Sequence, residues 1–227
     1  MLQPHSKIVF AGDSITDAIG SFGHNWSYEH QCGLGEGWVS QAVALIGARY
    51  PGLPLRYMNS GRSGIASREL HARWDELVLS HDPDLVTLLV GMNDLNLVHD
   101  GNDLGSEPEE YAEHYEAMCR SVIDRGARLI LLDSFYLWPE SGDVIPGKDA
   151  AAIPLELHAH RLARLPDYLA VVHKVAAELG VEHIPLHDLF QEQLRFRPSA
   201  ELCDEPVHPN DAGHLVIAHA FLRTIGW

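Results

Sequence analysis

The sequence predicts an α/β fold, a three-layer α/β/α sandwich in which helices cover both faces of a five-stranded parallel sheet. Short apolar, strand-like runs alternate along the chain with segments of helical periodicity, which is the pattern of βαβ units around a parallel sheet. The composition suits one sizeable core, because 46% of the 227 residues are hydrophobic. We therefore expect a single domain that spans residues 1–227.

Five apolar, strand-like runs are the predicted strands. They are residues 8–10, 55–58, 85–90, 129–132 and 181–185. Five such strands fit a flavodoxin-like sheet of order 2-1-3-4-5. In that order the connections leave strands 1 and 3 in opposite directions, so a ligand crevice is expected at their carboxyl ends.

Helical patterns separate the predicted strands, and the last of them has an apolar period of 3.6 residues. They cover residues 38–50, 67–80, 108–125, 167–179 and 211–225. Residues 18–37 and 138–166 interrupt the alternation after strands, and they are candidate walls of a site or else surface loops. The second stretch has room for a short helix at 155–162. Aromatic residues in these stretches either stack on a sugar or anchor the loops: Trp26, Tyr28 and Trp138.

Charge and composition exclude several kinds of partner. The chain carries 16 Lys and Arg against 32 Asp and Glu, and this formal charge of −16 opposes binding to nucleic acid or anionic membranes. No apolar stretch is long enough to span a bilayer, and residues 1–6 lack the pattern of a signal peptide. Cys32, Cys119 and Cys203 are too few for a disulfide framework. We expect a reduced, cytoplasmic protein.

Reactive groups follow three of the predicted strands. Ser14 comes after the first strand in a Gly-Asp-Ser turn, Gly61 after the second and Asn93 after the third. The carboxyl ends of parallel strands lie at one edge of the sheet, so we expect these groups to meet there. A serine hydrolase needs this set. Ser14 is the candidate nucleophile, and the candidate oxyanion donors are the N–H groups of Ser14 and Gly61 and the Asn93 amide.

A general base for Ser14 is expected near the end of the chain. His208 precedes the last helical pattern, and a loop after the fifth strand can return it to the same sheet edge. A carboxylate should orient its imidazole and stabilise the imidazolium. Glu205 stands three residues before His208 and Asp204 four before. Spacing favours Glu205 and side-chain length favours Asp204, so both stay candidates, and we prefer Glu205.

Together these segments resemble the sequence blocks of the SGNH (GDSL-type) hydrolase family. The family's Ser, Gly, Asn and His blocks are similar to Gly12-Asp13-Ser14-Ile15, Asn59-Ser60-Gly61, Gly91-Met92-Asn93-Asp94 and Val207-His208-Pro209-Asn210. The resemblance covers nearly the whole chain. It implies one SGNH-hydrolase-like domain that cleaves esters through an acyl-serine intermediate, without a metal or another cofactor. The family places Asp three residues before the His, where this chain has Glu205.

Within the family, the chain looks most like intracellular bacterial acetylesterases that deacetylate xylo-oligosaccharides. Residues 70–74 and 220–226 carry this similarity. It implies a small acetylated saccharide as the partner, and neither nucleic acid nor a membrane. Whether the chain forms a homo-oligomer stays open.

Other activities fit parts of the same pattern. Lysophospholipase, thioesterase and arylesterase are the alternatives that the same family implies. A metal-dependent phosphoesterase belongs to another class and is considered because Gly-Asp and Asn-Asp pairs end two strands, but no Asn-His-Asp follows the third strand. A non-catalytic carbohydrate-binding protein ranks last, because it has no need for Ser, Gly, Asn and His together.

Overall fold

The computed structural model describes residues 3–18, 33–138 and 154–227. In this part of the chain, five parallel strands form one sheet: β1 (Lys7–Gly12), β2 (Arg56–Gly61), β3 (Leu85–Leu89), β4 (Arg128–Leu132) and β5 (Glu182–Ile184). The strand order is β2-β1-β3-β4-β5, so the predicted sheet and its order are confirmed. Most of the two interrupting stretches, with Trp26 and Tyr28, lies outside the described residues.

Helices connect the strands and cover the sheet, as predicted for an α/β fold. In the described residues they are α1 (Ser14–Asp17), α2 (Trp38–Arg49), α3 (Ser67–Ala72), α4 (Trp74–Leu77), α5 (Met92–His99), α6 (Pro108–Asp124), α7 (Leu155–Leu179), α8 (Leu186–Leu194) and α9 (Asp211–Thr224). The sequence patterns did not predict α5 and α8, because both are short and mix polar with apolar residues. None of these helices is long and apolar enough to cross a membrane.

Helix α7 joins two segments that the sequence analysis treats separately. Pro166 lies inside it and has no N–H to donate to the preceding turn, which normally ends or bends a helix. The helix continues because its inner face is buried on both sides of the proline, at Leu165, Tyr168 and Val172. Tertiary packing therefore outweighs the local preference.

The predicted helix over residues 67–80 is two helices with a break at Arg73. Helix α3 ends before Arg73 and α4 begins after it with Trp74. The Trp74 side chain is buried, and its indole N–H donates to Ser121 Oγ of α6 at 2.9 Å. This contact ties the start of α4 to α6.

The sheet is buried on both faces, which explains why the central strands β1, β3 and β4 are mainly apolar. Successive strand residues point to opposite faces. Val9 and Val86 pack with α3 to α7 on one face, and Ile8 and Phe10 pack with α2, α8 and α9 on the other. The sheet thus holds the carboxyl ends of its strands in fixed positions.

Helix α1 is held tightly against the end of β2. The Asn59 side-chain amide donates to the carbonyl oxygens of Thr16 at 2.7 Å and of Leu34 at 2.9 Å. A Cβ on Gly61 would overlap the backbone nitrogen of Asp17 and lie 2.7 Å from the carbonyl carbon of Thr16. Glycine is therefore required here by close packing, and β2 fixes the helix that begins at Ser14.

Replacing Gly61 with alanine tests this packing. The added methyl group must displace α1 or β2, so we expect the free energy of unfolding to fall by about 1–3 kcal/mol. Gly47→Ala is the matched control, because Gly47 lies in α2 and an added Cβ there has nothing within 4 Å. That change should raise stability by about 0.5–1 kcal/mol. Urea titrations measure both values, and an unchanged stability of Gly61→Ala would contradict the close contact.

Candidate active site

Ser14 begins α1 directly after β1. The preceding Asp13 caps the helix, and its Oδ1 accepts the N–H of Ile15 at 3.0 Å. Burial is the main influence on the Asp13 carboxyl and raises its pKa to about 7, against the opposing effect of the Ile15 N–H. As the first helical residue, Ser14 has a backbone N–H without an intrahelical acceptor. The turn therefore presents both the hydroxyl and the N–H of Ser14 at the sheet edge.

His208 reaches Ser14 from the loop that precedes α9. Its Nε2 lies 2.8 Å from Ser14 Oγ. An antiparallel bridge between Cys203 and Pro209 closes the loop. Asn210 then caps α9 by accepting two backbone N–H groups with its side-chain oxygen. The loop is thus anchored on both sides of His208.

Glu205, and not Asp204, is the carboxylate that contacts His208. Glu205 Oε1 is hydrogen bonded to His208 Nδ1 and also accepts the His208 backbone N–H at 2.7 Å. Its other oxygen accepts the N–H of Val207 at 3.0 Å. These contacts fold the longer Glu side chain back over its own loop. Asp204 is exposed, and within the described chain no hydrogen bond joins it to His208.

The contact between Glu205 and His208 shifts the ionisation of both. The hydrogen bond from Glu205 is the largest cause that raises the pKa of His208 above its ordinary value, against burial and the charge of Arg161. Burial raises the pKa of Glu205, but hydrogen bonds from His208 and Val207 outweigh it, so its pKa is lowered overall. The result is an anionic carboxylate beside an imidazole that readily accepts a proton, as general-base chemistry requires.

The predicted oxyanion donors lie in different surroundings. The half-buried Asn93, the second residue of α5, donates one hydrogen of its amide to the Ile65 carbonyl at 2.9 Å. An amide nitrogen carries two hydrogens, so a second remains to point elsewhere. The Gly61 N–H donates instead to the Asn59 side-chain oxygen at 2.9 Å. Gly61 would have to release that contact before it could bind an oxyanion.

Residues that the sequence analysis did not single out lie beside the His208 loop. The N–H of Leu137 donates to the Pro206 carbonyl at 2.7 Å and joins the segment after β4 to this loop. From α7, the Arg161 guanidinium donates to Asn96 Oδ1 at 2.9 Å, and its positive charge lowers the pKa of His208. Nothing in the local sequence marks Arg161, because its effect depends on how α7 packs.

The aromatic rings of Tyr136, His158 and Trp138 pack together beside Arg161. Tyr136 Oη lies 2.5 Å from His158 Nδ1, and Arg161 donates to the same hydroxyl at 3.4 Å. The rings of Trp138 and His158 have centroids 4.0 Å apart. Trp138 is buried, so it anchors the loop after β4 rather than offering a free stacking surface.

The fold and the site together define a class of protein. A serine hydroxyl, an imidazole and a carboxylate form a continuous hydrogen-bonded chain at the carboxyl edge of a parallel α/β sheet. This is the arrangement of hydrolases that activate a serine through a histidine. Residues 10–216 match the family model described as the GDSL-like Lipase/Acylhydrolase family, and the chain belongs to that family. It is a carboxylic ester hydrolase.

Known relatives are similar to this chain over nearly their full length. An acetylxylan esterase from Geobacillus stearothermophilus is 34% identical in an alignment 232 residues long. The alignment covers 97% of this chain and 94% of that protein. A crystal structure of a catalytic mutant of Axe2, an acetylxylan esterase from that organism, has a TM-score of 0.85 and 29% identity, covering 100% of this chain and 96% of the other. LAE5, an α/β hydrolase from the metagenome of Lake Arreo, Spain, has a TM-score of 0.84 and 31% identity, with 99% and 97% coverage.

The two candidate acids can be separated by mutation. Glu205→Gln keeps the shape of the side chain but removes its charge, and we expect kcat to fall by up to ~10⁴-fold, as for the amide substitution in a serine protease triad. Asp204→Asn is the matched control and should leave kcat nearly unchanged. Steady-state kinetics on p-nitrophenyl acetate compare them. A larger loss in Asp204→Asn would assign the acid to Asp204.

The pH dependence follows from the raised pKa of His208. The imidazole must be neutral to accept the Ser14 proton, so kcat/KM should rise with pH, with an apparent pKa above the ordinary value of about 6.5. Glu205→Gln removes the negative partner and should move this rise to lower pH. A pH–rate profile of both proteins measures the shift. An identical profile would mean that Glu205 does not act on His208.

Proposed function

We propose that this chain is a serine esterase that removes acetyl groups from xylo-oligosaccharides through an acyl-Ser14 intermediate. The observation that carries the proposal is the chain of contacts from Ser14 Oγ to His208 and from His208 to Glu205. Similarity along the whole chain to an acetylxylan esterase supports the acyl group and the saccharide. Catalytic mutants of Axe2, an acetylxylan esterase from the same organism, replace a serine, a histidine and an aspartate that lies three positions before the histidine.

Acylation of Ser14 is the first half of the proposed reaction. Ser14 Oγ attacks the ester carbonyl while its proton passes to His208 Nε2, and Glu205 stabilises the imidazolium. The carbonyl oxygen becomes an oxyanion, for which the Ser14 N–H and the second hydrogen of the Asn93 amide are the donors. Collapse of this intermediate expels the sugar oxygen, which takes the proton from His208. The acetyl group then remains on Ser14 and the saccharide leaves as an alcohol.

Deacylation uses the same groups in reverse order. His208, neutral again, removes a proton from a water molecule that attacks the acetyl carbonyl on Ser14. The second tetrahedral intermediate collapses, the Ser14 oxygen takes the proton back from His208, and acetate departs. All proton transfers pass through Nε2 of one imidazole. The exposed fraction of the His208 side chain, 53%, fits a site that both a saccharide and water must reach.

The carboxylates near Ser14 have structural contacts that favour an esterase over a metal-dependent phosphoesterase. Asp13 caps α1. Asp94 accepts the Ser67 hydroxyl at 2.6 Å and the Ser67 N–H at 3.0 Å, and burial raises the pKa of Asp94 to about 6 against these hydrogen bonds. Both carboxylates therefore hold the first turn of a helix, and these contacts account for their positions without a metal ion.

The substrate assignment is tested with a panel of esters. Acetylated xylo-oligosaccharides should be cleaved with a higher kcat/KM than matched butyryl or octanoyl esters. Ser14→Ala should lower turnover of the acetylated compounds by ~10⁴-fold or more and prevent labelling by a fluorophosphonate probe. A preference for octanoyl esters would instead indicate a lysophospholipase or thioesterase. Retained turnover in Ser14→Ala would remove Ser14 from its role.

The role of Asn93 is tested by Asn93→Ala. Loss of one oxyanion donor should lower kcat by about 10²- to 10³-fold while KM changes little, because the oxyanion exists only after attack. Steady-state kinetics on the best acetylated substrate separate the two constants. A raised KM with an unchanged kcat would show that Asn93 binds the ground-state substrate instead.

A further inference from the structure

Three metal-ligating side chains meet at the β5 edge of the sheet. Asp133 follows β4, His183 lies in β5 and His173 lies in α7. His183 Nε2 is hydrogen bonded to Asp133 Oδ1, and His173 Nε2 lies 3.4 Å from Asp133 Oδ2. One ligand atom from each residue lies within 4.8 Å of the others. These three residues, here called the Asp133 cluster, share no member with the Ser14–His208–Glu205 chain.

The sheet places these side chains on one face. Leu131 of β4 pairs with His183 of β5, so their side chains point to the same side of the sheet. Asp133 follows two residues after Leu131 and continues this alternation, with its N–H bonded to the Ile184 carbonyl. Helix α7 covers this face and supplies His173. The juxtaposition therefore follows from strand register and helix packing.

The cluster combines a buried anion with an accessible side. The Asp133 side chain is only 1% exposed, whereas His183 is 19% and His173 47% exposed. A buried carboxylate requires charged or polar partners, and here both partners direct an imidazole nitrogen at it. The exposure of His173 leaves a route by which a small cation and its water molecule can enter from solvent.

We propose that the Asp133 cluster binds one divalent transition-metal ion, with Zn²⁺ as the best fit. In a tetrahedral Zn²⁺ site, bond lengths of about 2.0–2.2 Å place neighbouring ligand atoms about 3.3 Å apart. The 3.4 Å between His173 Nε2 and Asp133 Oδ2 matches this value. Three protein ligands leave the fourth position for water.

The ligand types select the class of metal. Two imidazole nitrogens with one carboxylate suit Zn²⁺, Co²⁺ or Ni²⁺, whereas Ca²⁺ and Mg²⁺ prefer oxygen ligands. Each imidazole would bind through the lone pair of Nε2 with its single proton on Nδ1, so the metal would replace the hydrogen bond between His183 Nε2 and Asp133 Oδ1. The net charge of −16 also favours cations near this protein. A bound ion would link the edge strand β5 to both β4 and α7.

Metal titrations test this site directly. The full-length chain, treated with a chelator and dialysed, is titrated with ZnCl₂ by calorimetry, and we expect one ion per chain. His173→Gln and His183→Gln should each weaken binding by ~10- to 100-fold or more, since even loss of an indirect supporting contact costs this much. His99→Gln is the control, because His99 is exposed in α5 outside the cluster, and it should bind like wild type.

Two further readouts report geometry and stability. Co²⁺ bound to the wild-type chain should give the visible absorption of a four-coordinate ion, and His173→Gln should lose it. Zn²⁺ should raise the Tm of the wild-type chain and of His99→Gln, but much less that of His173→Gln. His173 is half-exposed, so its replacement does not put the fold at risk. The proposal is overturned if the wild-type chain binds no stoichiometric Zn²⁺, or if both cluster variants bind it as tightly as wild type.

Discussion

The hydrogen bond between Ser14 and His208 joins residues 194 positions apart, and the candidate site exists only because both ends are held independently. Ser14 is fixed because the Asp13 cap starts α1 and the close contact with Gly61 holds that helix against β2. His208 is fixed because a bridge at Cys203 closes its loop just before α9. Movement of either support would lengthen the bond, and so the geometry depends on the rigid sheet between them.

The carboxylate that orients His208 shows how a loop adapts to a longer side chain. Glu205 carries one methylene more than the aspartate replaced in a catalytic mutant of the acetylxylan esterase relative. The N–H groups of Val207 and His208 both donate to its carboxylate, so the side chain folds back and still meets Nδ1 of the imidazole. These donors also hold the pKa of Glu205 down despite its burial.

The sequence predicted the parts of the fold that depend on local pattern. The central parallel strands are buried on both faces and appear as apolar runs, and all five strands and their order were predicted from the sequence. Ser14, Asn93 and His208 were chosen as candidates from their places beside the predicted elements. Features set by tertiary contacts were not predictable. In the sequence, Pro166 separates two helical patterns, yet packing makes α7 continuous across it. The Asp133 cluster unites residues 40 and 50 positions apart, which no sequence spacing reveals.

The central claim is that the acyl group passes through Ser14. The most direct measurement is peptide mass spectrometry of the enzyme quenched during turnover of p-nitrophenyl acetate. Our account predicts that the peptide containing Ser14 gains the mass of one acetyl group, that the modification disappears once the ester is consumed, and that Ser14→Ala acquires none. Turnover without any acetylated Ser14 peptide, or an acetyl group on a different residue that forms and decays at the rate of turnover, would contradict the account.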